Sequence, residues 1–137
     1  MKAMNEKNIR NQIYKCDICG NIVEILTAGR SSLVCCGYEM KLQNEKIEDA
    51  KAEKHVPILI DEGHSVKIVV GAVAHPMEEA HYIEWIEVIN GDYVNRKHLK
   101  AGDKPEALFY VHKQPGLLVR AYCNIHGLWR GKAISMN

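Results

Sequence analysis

Four of the five cysteines in this chain fall between residues 16 and 36, at spacings that suit one metal ion. Cys16-Asp17-Ile18-Cys19-Gly20 is a C-x-x-C-G knuckle. Two residues between the thiolates let both reach one ion, and the glycine that follows lets the chain turn tightly. Cys35-Cys36-Gly37 then supplies two more thiolates. Four thiolates complete a tetrahedral site that suits zinc or iron, and ligand type does not separate those two metals. Side chains of adjacent residues tend to diverge, so Cys35 and Cys36 are expected to widen one sulfur–metal–sulfur angle. A structural zinc ribbon competes with an iron site on these residues, and a disulfide pair is a further alternative.

A second set of donors is spread over the rest of the chain. Cys123-Asn124-Ile125-His126-Gly127 is a C-x-x-H-G turn. His75 and His81 flank the short acidic turn of Ala74-His75-Pro76-Met77-Glu78-Glu79-Ala80-His81, and Pro76 opposes a helix running through His75. Glu53-Lys54-His55-Val56-Pro57 adds a further histidine. Taken singly, each of these histidines reads as an ordinary core or surface residue. Together, four histidines and one cysteine at loop or strand-edge positions could form a five-ligand site. His64, His98 and His112 lack such a context and are assigned no ligand role.

The elements that must hold these donors are short and β-like. Before residue 45 the strand-like pieces are 13–15, 22–26, 33–34 and 40–42, punctuated by Gly20, Gly29 and Gly37. None is long enough to build a core, and a module this small needs a metal or disulfides to fold. Residues 44–53 (NEKIEDAKAE) are polar and read as a linker, or as one helical turn between two domains. From residue 54 onward the pattern gives seven candidate strands: 55–60, 65–73, 81–89, 92–99, 106–112, 117–123 and 128–135. Alternation would put Tyr82, Glu84 and Ile86 on one face of the third strand, with Ile83, Trp85 and Glu87 on the other. Asn90-Gly91 is the strongest hairpin cue among the turn signals. Seven short strands with regular turns suggest an antiparallel sandwich of the immunoglobulin kind.

Composition narrows the function classes. The 137 residues carry 18 basic and 17 acidic side chains, so neither a nucleic-acid stripe nor a polyacidic tail is indicated. No apolar run approaches the roughly 20 residues of a membrane span. The opening MKAMNEKNIRNQ has no apolar segment of the secretory kind, so a cytoplasmic protein with reduced or metal-bound thiols is expected.

The motifs in their order carry a resemblance. Tyr14-Lys15-Cys16…Cys19-Gly20-Asn21-Ile22-Val23-Glu24, Leu33-Val34-Cys35-Cys36-Gly37 and Glu53-Lys54-His55-Val56-Pro57 come first. His75-Pro76-Met77-Glu78-Glu79…His81…Ile83-Glu84-Trp85-Ile86-Glu87 and Tyr122-Cys123-Asn124-Ile125-His126-Gly127 follow. From about Ile13 to Ala133 the chain resembles the desulfoferrodoxins, the two-iron superoxide reductases. The resemblance implies a mainly β protein in two parts. Residues 1–43 would be a desulforedoxin-like module with one Fe(Cys)4 ion, followed by the linker 44–53. Residues 54–137 would be a seven-stranded immunoglobulin-like sandwich with an Fe(His)4(Cys) ion. His55, His75, His81 and His126 would hold that second iron equatorially, with Cys123 axial.

The implied activity is one-electron reduction of superoxide to hydrogen peroxide. The resemblance also implies a homodimer and a rubredoxin-like electron donor. Lys54, beside ligand His55, would attract the anion and orient a proton-donating water. Glu53 would fill the sixth position after the product leaves. A superoxide dismutase is the nearest rival, and a zinc-stabilised or electron-transfer protein without catalysis is the rival of another class.

Overall fold

The computed structural model describes residues 8–48 and 54–134, in two compact units that divide the chain between Asn44 and Glu45. Every regular element among the described residues is a strand. No helix among them is long and apolar enough to cross a membrane.

In the first unit, β1 (Ile13–Lys15) is paired antiparallel with β2 (Ile22–Glu24) on one side. On its other side it pairs with β5 (Lys41–Leu42). A separate two-residue ladder joins β3 (Val34–Cys35) to β4 (Tyr38–Glu39). Its turn residues Cys36 and Gly37 have φ of 53° and 80°, both positive as a type I′ hairpin requires. Glycine takes that conformation freely, whereas Cys36 takes it against steric resistance. Among the described residues of this unit the buried hydrophobics are Ile13, Tyr14, Cys16 and Ile25, too few for an independent core.

The second unit is the seven-stranded antiparallel sandwich expected from the turn pattern. One sheet is β10 (Glu106–Phe109), β7 (Val66–Val70) and β6 (Pro57–Asp61), in that spatial order. The other is β12 (Gly127–Arg130), β11 (Leu118–Cys123), β8 (Ile83–Asn90) and β9 (Tyr93–His98). The β8–β9 hairpin turns through Gly91-Asp92, as Asn90-Gly91 signalled. The core takes alternate residues from both sheets: Val66, Ile68 and Val70 from β7, and Val119, Ala121 and Cys123 from β11.

The alternation expected for β8 is broken. Pairing with β11 runs in register from Leu118–Ile89 to Tyr122–Trp85, then shifts so that Cys123 faces Ile83. Glu84 is the extra residue of this bulge on the β11 side. The bulge turns Ile83 onto the same side as Ile86 and Val88, and all three join the core. Trp85 and Glu87 point the other way, where Trp85 stacks on Tyr122 and Glu87 meets Arg120. Glu87 and Arg120 are 0 % and 3 % exposed, so this is a buried ion pair. It extends to Arg96 on β9 and to Glu45, which also meets Arg130.

Residues 44–48, at the start of the expected linker, are not helical. Lys46 forms a parallel bridge with Trp129: its N–H donates to the Leu128 carbonyl, and its own carbonyl accepts from the Arg130 N–H. Gly131 continues this edge and passes so close to β6 that an added Cβ would lie 2.7 Å from the Pro57 carbonyl oxygen.

Candidate metal centres

In the first unit the knuckle and the β3–β4 turn face each other. The thiols of Cys16, Cys19, Cys35 and Cys36 all lie within 4.8 Å of one another. Four thiolates about 2.3 Å from a tetrahedral ion would sit ~3.8 Å apart. The Sγ atoms of Cys19 and Cys35 are 3.6 Å apart, close to that value. Those of Cys35 and Cys36 are 4.0 Å apart, slightly beyond it. The left-handed backbone of Cys36 is what swings its thiol toward the others. The Cys19 backbone N–H points at the Cys16 sulfur and brings that thiol down to about 7. Cys36 is pushed up to about 12, chiefly by its hydrogen bond with the Cys19 thiol. So crowded a set cannot ionise fully by itself; a cation supplies the compensating charge.

The second group is assembled from three separate stretches. His55 leads into β6, and the 71–82 connection between β7 and β8 carries His75 and His81. The β11–β12 turn carries Cys123 and His126. Reciprocal hydrogen bonds of 3.0 Å between the backbones of Glu78 and His81 close a tight turn, which folds His81 back toward His75. Asn124 ties this loop to the β11–β12 turn: its Oδ1 accepts from the Tyr82 N–H at 2.9 Å, and its Nδ2 donates to the Ala80 carbonyl at 3.2 Å. Gly127, at φ 85°, lets the chain reverse directly after His126. Sequence reasoning quoted Asn124 within a motif but gave it no task. Its position between two ligands was the available signal.

The donor atoms of His55, His75, His81, Cys123 and His126 also lie within 4.8 Å of one another. Nδ1 of His75 is 2.7 Å from the Pro76 carbonyl oxygen. An N–H there leaves Nε2 as the lone-pair donor. That Nε2, like Nε2 of His81, is buried without a hydrogen-bond partner. Two orphaned imidazole nitrogens aimed into one space are costly unless an ion takes their lone pairs. His55 Nε2 and His126 Nδ1 are 3.0 Å apart. Two nitrogens at right angles on an ion, each about 2.1 Å from it, would be ~3.0 Å apart. Five donors exceed the four of a structural zinc site and suit an octahedral ion with one position left over.

Burial makes this group ready for a cation. It brings His75 down to about 4, so the imidazole is neutral near pH 7. It also pushes the Cys123 thiol up, which a bound cation must reverse to obtain a thiolate. The His126 backbone N–H, 3.4 Å from the Cys123 sulfur, supports the negative charge. His75 and Cys123 are buried, His55 and His81 half-buried, and His126 exposed, so one side of the group meets solvent. Trp129 stacks on the His55 ring at 4.5 Å between centroids, with 14° between the planes.

Lys54 is half-buried and directly precedes His55. Glu53 lies outside the described residues. His64 and His112 pack against each other at 5.5 Å, apart from both donor groups.

A small four-thiolate module and a β-sandwich with a four-histidine, one-cysteine group define a two-centre non-haem iron protein. The family descriptions that match are "Desulfoferrodoxin, N-terminal domain" over residues 8–43 and "Desulfoferrodoxin" over residues 47–132. The chain belongs to the desulfoferrodoxin family. It is 59% identical over 119 residues to a desulfoferrodoxin homolog of Archaeoglobus fulgidus, covering 87% of this chain and 94% of that one. A homolog from Methanothermobacter thermautotrophicus is 53% identical over 119 residues, covering 87% and 96%. Among solved structures, the superoxide reductase of Treponema pallidum superposes with a TM-score of 0.73 at 29% identity, covering 88% of this chain and 97% of its own. The two donor groups match the two irons of the family.

Proposed function

We propose that this protein is a superoxide reductase, in which His55, His75, His81, His126 and Cys123 hold the reacting iron and Cys16, Cys19, Cys35 and Cys36 hold a second one. The observation that supports this most is the convergence of four imidazoles and one thiol on one space with a solvent-facing side. The Treponema pallidum structure, similar over most of the chain, is named a superoxide reductase. An iron held by these residues would supply the one electron that, with two protons, takes superoxide to hydrogen peroxide. Neutral imidazoles keep the charge of the centre low, so an anion can approach. Cys123 would be the strongest electron donor to that iron, as thiolates are in other iron sites. Lys54, next in the chain to His55, draws the anion in and orients a water that delivers a proton. Glu53 would serve as a further ligand to that iron between turnovers.

The reading extends to the chain as a whole. Residues 1–43 form the electron-storing module and residues 54–137 the catalytic sandwich, and of the polar stretch 44–53 between them residues 45–48 already belong to the sandwich's unit. A rubredoxin-like protein returns the electron, and the working protein is a cytoplasmic homodimer. The test is metal analysis with an optical spectrum, followed by pulse radiolysis of the pre-reduced protein. Two irons per chain and one peroxide formed per superoxide consumed are expected. One peroxide per two superoxides, with oxygen released, would make the protein a dismutase. Stoichiometric zinc at the histidine site in protein made with ample iron would end the reading.

A further inference from the structure

Lys46 lies outside every motif in the sequence, yet it reaches the second donor group by two routes. Its Nζ donates a 2.7 Å hydrogen bond to the carbonyl of His126. The same ammonium lies 5.3 Å from the centre of the Trp129 ring, within the range of a cation–π contact. Trp129 in turn is stacked on His55. The Lys46 backbone is fixed as well, bridged to Trp129 and bonded to Leu128 and Arg130 on the strand that leaves the His126 turn. The charge is therefore held in place from both ends of the residue.

We propose that Lys46 is a positioning residue of the His4Cys centre, which anchors the His126 turn and the Trp129–His55 stack and biases the iron toward its reduced form. The inference rests on the reductase reading for its purpose, since a reductase must hold an electron ready for the anion. The physical basis is separate from that reading. A fixed positive charge beside a metal favours the state with one more electron, and outer partners of a ligand set its orientation and donor strength. Lys46 touches no donor atom, so it acts through His126 and Trp129.

Lys46→Met keeps the length and apolar stem but removes the charge and the donor. Lys46→Arg keeps both, and a guanidinium also stacks on indole. The measurement is a redox titration of the full-length two-iron protein, with the Fe(Cys)4 centre as internal reference. Lys46→Met is expected to shift the one-electron equilibrium of the His4Cys centre about tenfold toward the oxidised form, ~59 mV lower. Its thiolate-to-iron absorption should move, while the Fe(Cys)4 spectrum and potential stay put. Lys46→Arg should restore the parent values. Loss of the second iron in Lys46→Met with retention in Lys46→Arg would support the anchoring role equally. Identical behaviour of the two variants, whether both match the parent or both depart from it, would overturn the proposal. A parent protein that fails to reduce superoxide would remove the reductase reading and leave the redox comparison to be judged separately.

Discussion

At the scale of the residue, the proposed chemistry turns on the charge and donors beside the solvent-facing side of the second donor group. Superoxide is a small monoanion, so its capture is set by local field more than by net charge, which is +1 here. If Lys54 supplies that field, Lys54→Ala should slow the second-order step roughly tenfold or more, with iron content and spectrum unchanged. Salt should slow the parent strongly and the variant weakly, since screening removes what the mutation has already removed. Equal rates and equal salt slopes by pulse radiolysis would reduce Lys54 to a solvated charge. Cys123→Ser tests the other side of the iron. A hydroxyl is a weak donor, so turnover of the iron-loaded variant should fall by at least ~10–100-fold, the range seen for lesser changes around a metal. Near-normal turnover would refute the role given to the thiolate. The Cys and His donors were legible because ligand types recur at short, turn-compatible spacings. Lys46 was not, because its role depends on contact with His126, 80 residues away, and nothing in its neighbours announces it.

At the scale of the element, the seven strands of the sandwich followed from alternation and turn residues, and the hairpin at Gly91-Asp92 from Asn90-Gly91. The bulge in β8 did not, because Ile83-Glu84-Trp85-Ile86 alternates well enough to hide an extra residue. It was also the cross-strand register, rather than β8 alone, that set Glu87 opposite Arg120. The pair is fully desolvated on a face that composition would have marked as solvent-exposed. Arg120→Met leaves the Glu87 carboxylate buried with only Arg96 against it, and should cost about 3–5 kcal/mol. Adding Glu87→Leu removes the stranded charge, so the double variant should recover part of the loss. Urea melts of the four proteins of the cycle measure this. Strictly additive losses would mean that the two side chains are not energetically coupled. The His4Cys spectrum should survive in every folded member, since neither residue lies among its donors.

At the scale of the whole molecule, the two units differ in what holds them together. The second has a core drawn from both sheets, with Val66, Ile68, Ile83, Ile86, Val88 and Ala121 at 0 % exposure. The first has strands of two or three residues and a handful of buried side chains, so its fold depends on cross-linking by an ion. Removing one of its thiolates should therefore affect the units unequally. In Cys16→Ser the knuckle keeps Cys19 but loses the sulfur that receives the Cys19 N–H. Three thiolates and a hydroxyl hold iron poorly, so the Fe(Cys)4 absorption should disappear and the first unit should become protease-sensitive. The five donors of the second centre are all supplied by residues 55–126 and need nothing from the first. The variant should then bind one iron per chain in place of two, with the thiolate–imidazole spectrum intact. If that iron is the reacting one, as proposed, chemically pre-reduced Cys16→Ser should reduce superoxide at close to the parent rate. Re-reduction by a protein donor is a separate measurement, and slowing there alone would assign the first iron to electron delivery. Loss of both irons would show instead that the second centre depends on the first unit for its assembly.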